Sequence, residues 1–176
     1  MARRISVFLR ERKGKMEKKR KCIFAGSFDP PTLGHKTVIE NCLQIFDEVV
    51  VAILVNPQKN SFFTTQQKEE MLRLTVENAD NLKIIAFNGT IAKLLEEENT
   101  PFYVRGIRNS IDLAFENDNF YASKKLNVNL CPIYIPCPQE LLHVSSSMVR
   151  NSLKFNTPID EYVTKEVKDY ILKLQR

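Results

Sequence analysis

From Lys21 onward, short apolar runs alternate with stretches whose apolar residues recur at helical spacing. Cys22-Ile23-Phe24-Ala25 reads as a strand that ends at Gly26, and Val38, Ile39, Cys42, Leu43 and Phe46 then share one face of a helix. Glu48 to Val55 is almost continuously apolar and β-branched, the pattern of a strand covered on both faces. Thr64 with Gln67 three residues later forms a capping box and predicts a helix through about Asn78. Leu82 to Phe87 is the next strand and Thr90 to Glu98 the next helix. Phe102 to Arg105 is a further strand, followed by a helix across Asp112 to Lys125. Leu130 to Ile135 is a fifth strand, and helices near Ser146–Phe155 and Asp160–Leu174 close the chain.

Strands alternating with helices make βαβ units, so the predicted fold class is α/β: a doubly wound, five-stranded parallel sheet with helices on both faces. In such sheets the ligand sits beyond the carboxyl ends of the strands, where strand order reverses. The residues just after each strand are therefore where chemistry is sought. A length of 176 residues suits one domain, expected over residues 21–176.

Charge changes the picture at one end only. Residues 1–21 carry ten Lys or Arg against Glu11 and Glu17, whereas the remainder is balanced at −3. The basic character thus belongs to a tail, expected over residues 1–20 as a solvated lead-in or an upstream start ahead of Met16, and nucleic acid is not the expected partner. No apolar run approaches the roughly 18 residues of a membrane span. The short stretch Ile5 to Leu9 lacks the length and cleavage site of a signal peptide, so a cytoplasmic protein is expected. Cys22, Cys42, Cys131 and Cys137 form no CxxC pair, and with only His35 and His143 beside them no protein-held metal site is expected.

Four segments carry candidate chemistry. Gly26-Ser27-Phe28-Asp29-Pro30-Pro31-Thr32-Leu33-Gly34-His35 follows the first strand and opens the first helix. Gly26 permits a tight turn, Gly34 allows close approach of a ligand, and helix-start N–H groups favour anions. His35 and the Ser27 hydroxyl can donate to phosphate oxygens; a capping role is the plainer reading of His35. Lys59 just past the second strand can reach a phosphate as a mobile charge, or be a solvated loop lysine. Tyr103 to Glu116 places Arg105 and Arg108 around Gly106 at a strand end, where guanidinium forks suit phosphates. Alternatively Arg108 and Asp112 form a surface i,i+4 pair worth about 0.3–0.5 kcal/mol. Ser145, Ser146 and Ser147, ahead of Arg150, are ordinary helix caps when taken alone.

The chain has neither GxxxxGK[ST] nor GxGxxG. The pattern G-S-F-D-P-x-T-x-G-H instead resembles the HIGH-type nucleotidyltransferase superfamily, and Val144 to Arg150 resembles its Ile-Ser-Ser-Ser/Thr-x-x-Arg/Lys element. With the Arg-Gly-x-Arg-x-x-x-Asp run of Arg105 to Asp112, residues 21 to about 174 look like the bacterial phosphopantetheine adenylyltransferases. That resemblance implies a Rossmann-like nucleotidyltransferase fold, a homo-hexamer and Mg²⁺-assisted transfer of AMP from ATP to 4'-phosphopantetheine. It implies that Ser27 contacts both substrates, that Lys59, Arg105 and Ile91 hold the pantetheine substrate, and that His35 and Lys59 stabilise the transition state. Phe28, His35, Gly106, Ile107, Arg108, Glu116 and Leu141, Leu142, His143, Val144, Ser145, Ser146 and Ser147 fall to ATP. Leu141 or Leu142 stands where the family often has an aromatic residue, and Phe115 where it commonly has Tyr. The rival reading within the superfamily is a nicotinate or nicotinamide mononucleotide adenylyltransferase, which shares Gly-Ser-Phe-Asp-Pro-Pro. A rival of another class is a nucleotide- or RNA-binding module that uses the basic tail.

Overall fold

A computed structural model describes residues 19–55, 60–76 and 79–174. Most of the basic tail and Lys59 lie outside the described residues. The elements run β1 (Lys21–Gly26), α1 (Leu33–Ile45), β2 (Glu48–Leu54), α2 (Thr65–Thr75), β3 (Leu82–Phe87) and α3 (Ile91–Glu97). They continue with β4 (Phe102–Ile107), α4 (Ser110–Lys124), β5 (Cys131–Pro136), a 3-10 turn (Gln139–Leu141), α5 (Ser146–Lys154) and α6 (Lys165–Leu174).

All five strands are parallel, in the order β3-β2-β1-β4-β5. Successive side chains of a strand face opposite ways, so the core divides in two. Cys22, Phe24, Val49, Val51 and Ile53 pack with Val38, Ile39 and Cys42 of α1 and Leu72 of α2. Ile23, Ala25, Val50 and Ala52 pack on the other face, with Leu94 and Leu95 of α3 and Phe120 of α4. Every residue from Val49 to Ile53 is therefore buried, which explains the unbroken apolar run of β2. Phe63, Met71, Val149, Val163, Val167 and Ile171 make a third cluster that fastens α5 and α6 to α2.

Strand order reverses between β1 and β4, and there the pairing stops early. β1 and β2 pair through Gly26, and β4 and β5 through Ile107. β1 and β4 pair only from Cys22–Phe102 to Phe24–Val104. Beyond Phe24 and Val104 the two strands part, and their free ends border a cleft.

Capping explains where helix boundaries differ from expectation. The last helix begins at Lys165 instead of Asp160 because the Thr164 hydroxyl accepts from the Val167 N–H at 3.3 Å. α4 begins earlier than expected because the Asn109 side chain accepts from the Asp112 N–H at 2.8 Å. α2 ends at Thr75, and the expected end near Asn78 lies outside the described residues.

β4 lies close against α1 where it enters the cleft. A Cβ placed on Gly106 would stand 2.9 Å from Val38 Cγ2, on a stiff β-branched side chain. Gly106→Ala should therefore cost about 1–3 kcal/mol in urea denaturation; an unchanged midpoint would mean that β4 and α1 separate freely.

Candidate active site

The parted ends of β1 and β4 open a cleft of about 380 Å³. Its floor is Phe24 to Phe28 and its walls come from α1, β4, α4 and the start of α5. The first loop is fixed at several points. The Asp29 carboxylate accepts from the Phe62 and Phe63 N–H groups, each at 2.9 Å. Arg150 Nη1 donates to the Asp29 carbonyl at 2.6 Å, and Ser146 Oγ donates to the Pro30 carbonyl at 2.7 Å. The loop after β1 is thus tied to both the approach to α2 and the start of α5.

The turn's left-handed position is taken by Phe28, with φ 45°, and among the described residues no glycine has positive φ. The freedom expected of Gly26 is not what the turn uses. Phe28 accepts this backbone while its ring is buried, edge-on to Phe24 at 5.3 Å and to His35 at 5.0 Å.

His35 combines the two roles that its position suggested. The Thr32 N–H donates to Nδ1 at 3.0 Å, which caps α1 and leaves the ring proton on Nε2. The ring lines the cleft, so Nε2–H is its one donor there. Burial, with the Arg105 and Arg108 charges nearby, lowers its pKa from 6.5 to about 4. His35 is accordingly a neutral donor near pH 7.

Two arginines enter from β4 and the loop after it, and each meets a carboxylate of α4. Arg105 Nη1 donates to the Ala25 carbonyl at 2.6 Å, just past the last residue of β1 that pairs with β4, and Nη2 donates to Glu116 Oε1. Arg108 forms a fork with Asp112, at 2.8 Å from Nε and 3.2 Å from Nη2. Those hydrogen bonds hold the Asp112 carboxyl below the usual carboxylate range. The surface-pair reading of Arg108 and Asp112 and the cleft reading therefore both apply, since both residues line the cavity.

The serine triplet is partly committed to the protein. Ser145 Oγ caps α5 by accepting from the Met148 N–H at 3.2 Å, and Ser147 Oγ accepts from Arg150 Nη2 at 3.0 Å. Ser145 and Ser146 line the cleft, as do Val144 and the start of α1.

The cleft gathers Ser27, Phe28, His35, Arg105, Gly106, Arg108, Glu116, Val144, Ser145 and Ser146. Ile107, Leu141, Leu142, His143 and Ser147 stand beside it without lining it, His143 packing edge-on to Tyr162 at 6.1 Å. Ile91, at the start of α3, packs against the cluster around Leu94. Lys59 lies outside the described residues. Thr32, Asp112, Phe115 and Cys137 also line the cleft, although the sequence reading gave them no ligand role. Asp29 and Arg150 hold its loop in place. Their partners are 33 to 121 residues away, a distance that no local pattern encodes.

A family model described as cytidylyltransferase-like matches residues 23–152. A phosphopantetheine adenylyltransferase of Natranaerobius thermophilus is 32% identical over 86% of this chain and 93% of its own length. One of Thermotoga neapolitana is 34% identical over 82% of this chain and 90% of its own. Among solved structures, a Plasmodium falciparum nicotinic acid mononucleotide adenylyltransferase superposes with a TM-score of 0.65 at 21% identity, covering 90% of this chain and 96% of that one. At that identity the superposition speaks for the fold.

The neutral state of His35 has a measurable consequence. An unfolded histidine titrates near 6.5, whereas folded His35 titrates at about 4. Between those values the unfolded chain binds a proton that the native state refuses, so stability falls as pH drops through the window. Urea denaturation from pH 7 to pH 4 should show a smaller loss for His35→Asn than for wild type. Equal losses would mean that the ring is not held neutral.

Proposed function

This chain belongs to the cytidylyltransferase-like family, and we propose that it transfers the adenylyl group of ATP to 4'-phosphopantetheine, giving dephospho-coenzyme A and pyrophosphate. The observation that carries this reading is the cleft between β1 and β4, where two guanidinium groups, a neutral imidazole donor and the starts of α1 and α5 converge. The curated relatives with the matching name align over more than four fifths of the chain.

In this reaction a phosphate oxygen of phosphopantetheine attacks the α-phosphorus of ATP, and the bond from that phosphorus to the β-phosphate bridging oxygen breaks. Both reacting groups arrive with the substrates, so the protein needs no nucleophile of its own. Its contribution is to bring two anions into line and neutralise them. His35 Nε2–H, the α5 start and Arg108 would hold the triphosphate. Gly106 and Ile107 would border the nucleotide, with Leu141, Leu142, His143 and Ser147 beside it. Arg105 and Lys59 would hold the pantetheine phosphate, with Ile91 along the arm, Ser27 between the substrates and Phe28 on the ATP side.

Magnesium is part of the proposal. Among the described residues no three metal-ligating side chains cluster, and Asp112 and Glu116 are engaged by arginines. The ion would therefore be carried on the ATP phosphates, where it supplies charge neutralisation.

Cytoplasmic placement is supported by the supply of ATP there and by four unpaired cysteines. Among the described residues no helix is long and apolar enough to cross a membrane. A homo-hexamer is supported by the outer side of α4 and the turn after it, where Ile111, Tyr121, Leu126 and Val128 are all at least 65% exposed. So much exposed apolar surface on α4 and the turn after it fits an interface between copies of the chain.

Pyrophosphate release should occur with ATP and 4'-phosphopantetheine, and not with nicotinate mononucleotide in its place; the reverse preference would overturn the assignment. His35→Ala should lower kcat by roughly 10²–10³, as the loss of one preorganised donor does elsewhere. Nearly full turnover at saturating substrate would remove His35 from the transition state. In sedimentation, Leu126→Asp with Val128→Asp should yield species smaller than the wild-type hexamer. A wild-type protein sedimenting near the 20.4 kDa of one chain would refute the assembly.

A further inference from the structure

Glu116 is the one buried residue of α4, a helix whose other side chains are at least partly exposed. Its carboxylate turns inward and meets Arg105 Nη2. Side-chain exposure is 8% for Glu116 and 26% for Arg105, so this is not a solvent-screened surface pair. The guanidinium is held on further sides. Nη1 is fixed on the Ala25 carbonyl at 2.6 Å, the guanidinium carbon lies 5.8 Å from the centre of the Tyr103 ring, and Nε is buried without a partner.

Stability does not account for the pair. Withdrawing a carboxylate and a guanidinium from water is costly, and apolar replacements of buried ion pairs are often neutral or stabilising. α4 could have packed an apolar residue there, as it does with Phe120 against the sheet. What the pair does provide is orientation. A guanidinium anchored through Nη1 and Nη2 has its plane fixed, and its remaining donors are set before any phosphate arrives. Arg108 differs: at 37% side-chain exposure, its partner Asp112 is four residues along the local chain. Arg105 is instead gripped by a carboxylate from a separate element, eleven residues on.

We propose that Glu116 is the positioning residue of Arg105, acting on the phosphate of phosphopantetheine through that guanidinium. This rests on the function proposed above and on Arg105 as the ligand of that phosphate. The family resemblance assigns Glu116 to ATP; its pairing with Arg105 gives it this further role.

The test is a double-mutant cycle of Arg105→Ala and Glu116→Ala, with Glu116→Gln as the conservative variant. With Arg105 present, Glu116→Ala should lower kcat/KM for phosphopantetheine on the order of tenfold to a hundredfold, as misplacement of a binding group does. KM for ATP should move less than that for phosphopantetheine. Glu116→Gln, whose amide oxygen still accepts from Nη2, should recover most of the loss. In the Arg105→Ala background, Glu116→Ala should add no more than about a twofold effect. Multiplying effects, or a raised KM for ATP with that for phosphopantetheine unchanged, would overturn the proposal.

Thermal midpoints identify an alanine variant that fails to fold, and Glu116→Asp, one methylene too short for Nη2, then takes its place in the cycle. Recovery by Gln relative to Asp supports the proposal, and a raised KM for ATP with that for phosphopantetheine unchanged refutes it. A wild-type protein inactive on both substrates would instead sink the functional reading. The same cycle on 4'-phosphopantetheine binding without ATP, measured by calorimetry, needs no turnover, and there additive effects would refute the positioning role independently.

Discussion

A parallel sheet sends every strand's carboxyl end to one edge, and reversal of strand order there leaves one pair of neighbours with helices on opposite faces. In this protein those neighbours are β1 and β4, and their pairing lapses after Phe24 and Val104. The lapse frees the Ala25 carbonyl from the ladder, and Arg105 takes it. A side chain thus completes what the backbone leaves open, and in doing so brings a positive charge to the floor of the cleft. The first loop, the arginine loop and the serine helix then need only be held near that gap. Asp29, Arg150 and Ser146 hold them through contacts with backbone groups.

The electrostatics follow from that placement. Burial of the ring, and after it the repulsion of two guanidinium groups in the cleft, keeps His35 neutral. Each arginine also meets a carboxylate of α4, so the empty site is not an uncompensated cluster of cations. Phosphorylated substrates enter a place where donors are already aimed and the opposing charge is already local. Such preorganisation suits a reaction whose two partners are both anions and whose protein supplies no covalent step.

α4 links the cleft to the outer surface. Asp112 and Glu116 face inward from it, while Ile111 and Tyr121 face out. Its packing on the sheet passes through Phe120 and a 3.0 Å hydrogen bond from Tyr134 to Asn117. The exposed apolar side of the helix and the carboxylates that hold the arginines thus belong to the same fifteen residues.

The sequence alone determined the periodic part of the protein. Alternation of apolar runs with helical spacing was enough for five strands and their order along the chain. The uninterrupted Val49–Ile53 run declared a strand with two covered faces. The loops after β1 and β4 and the serines before α5 were legible as candidate site segments, and all three border the cleft, because residue type and proximity to a strand end are local properties. The tertiary structure alone decided what depends on partners distant in sequence: the parting of β1 from β4, the positive φ of Phe28 and the pairing of Arg105 with Glu116. It also set the neutrality of His35, whose pKa depends on burial and on arginines some seventy residues away. A spacing rule reads neighbours along the chain, whereas burial, charge and hydrogen bonding act between neighbours in space.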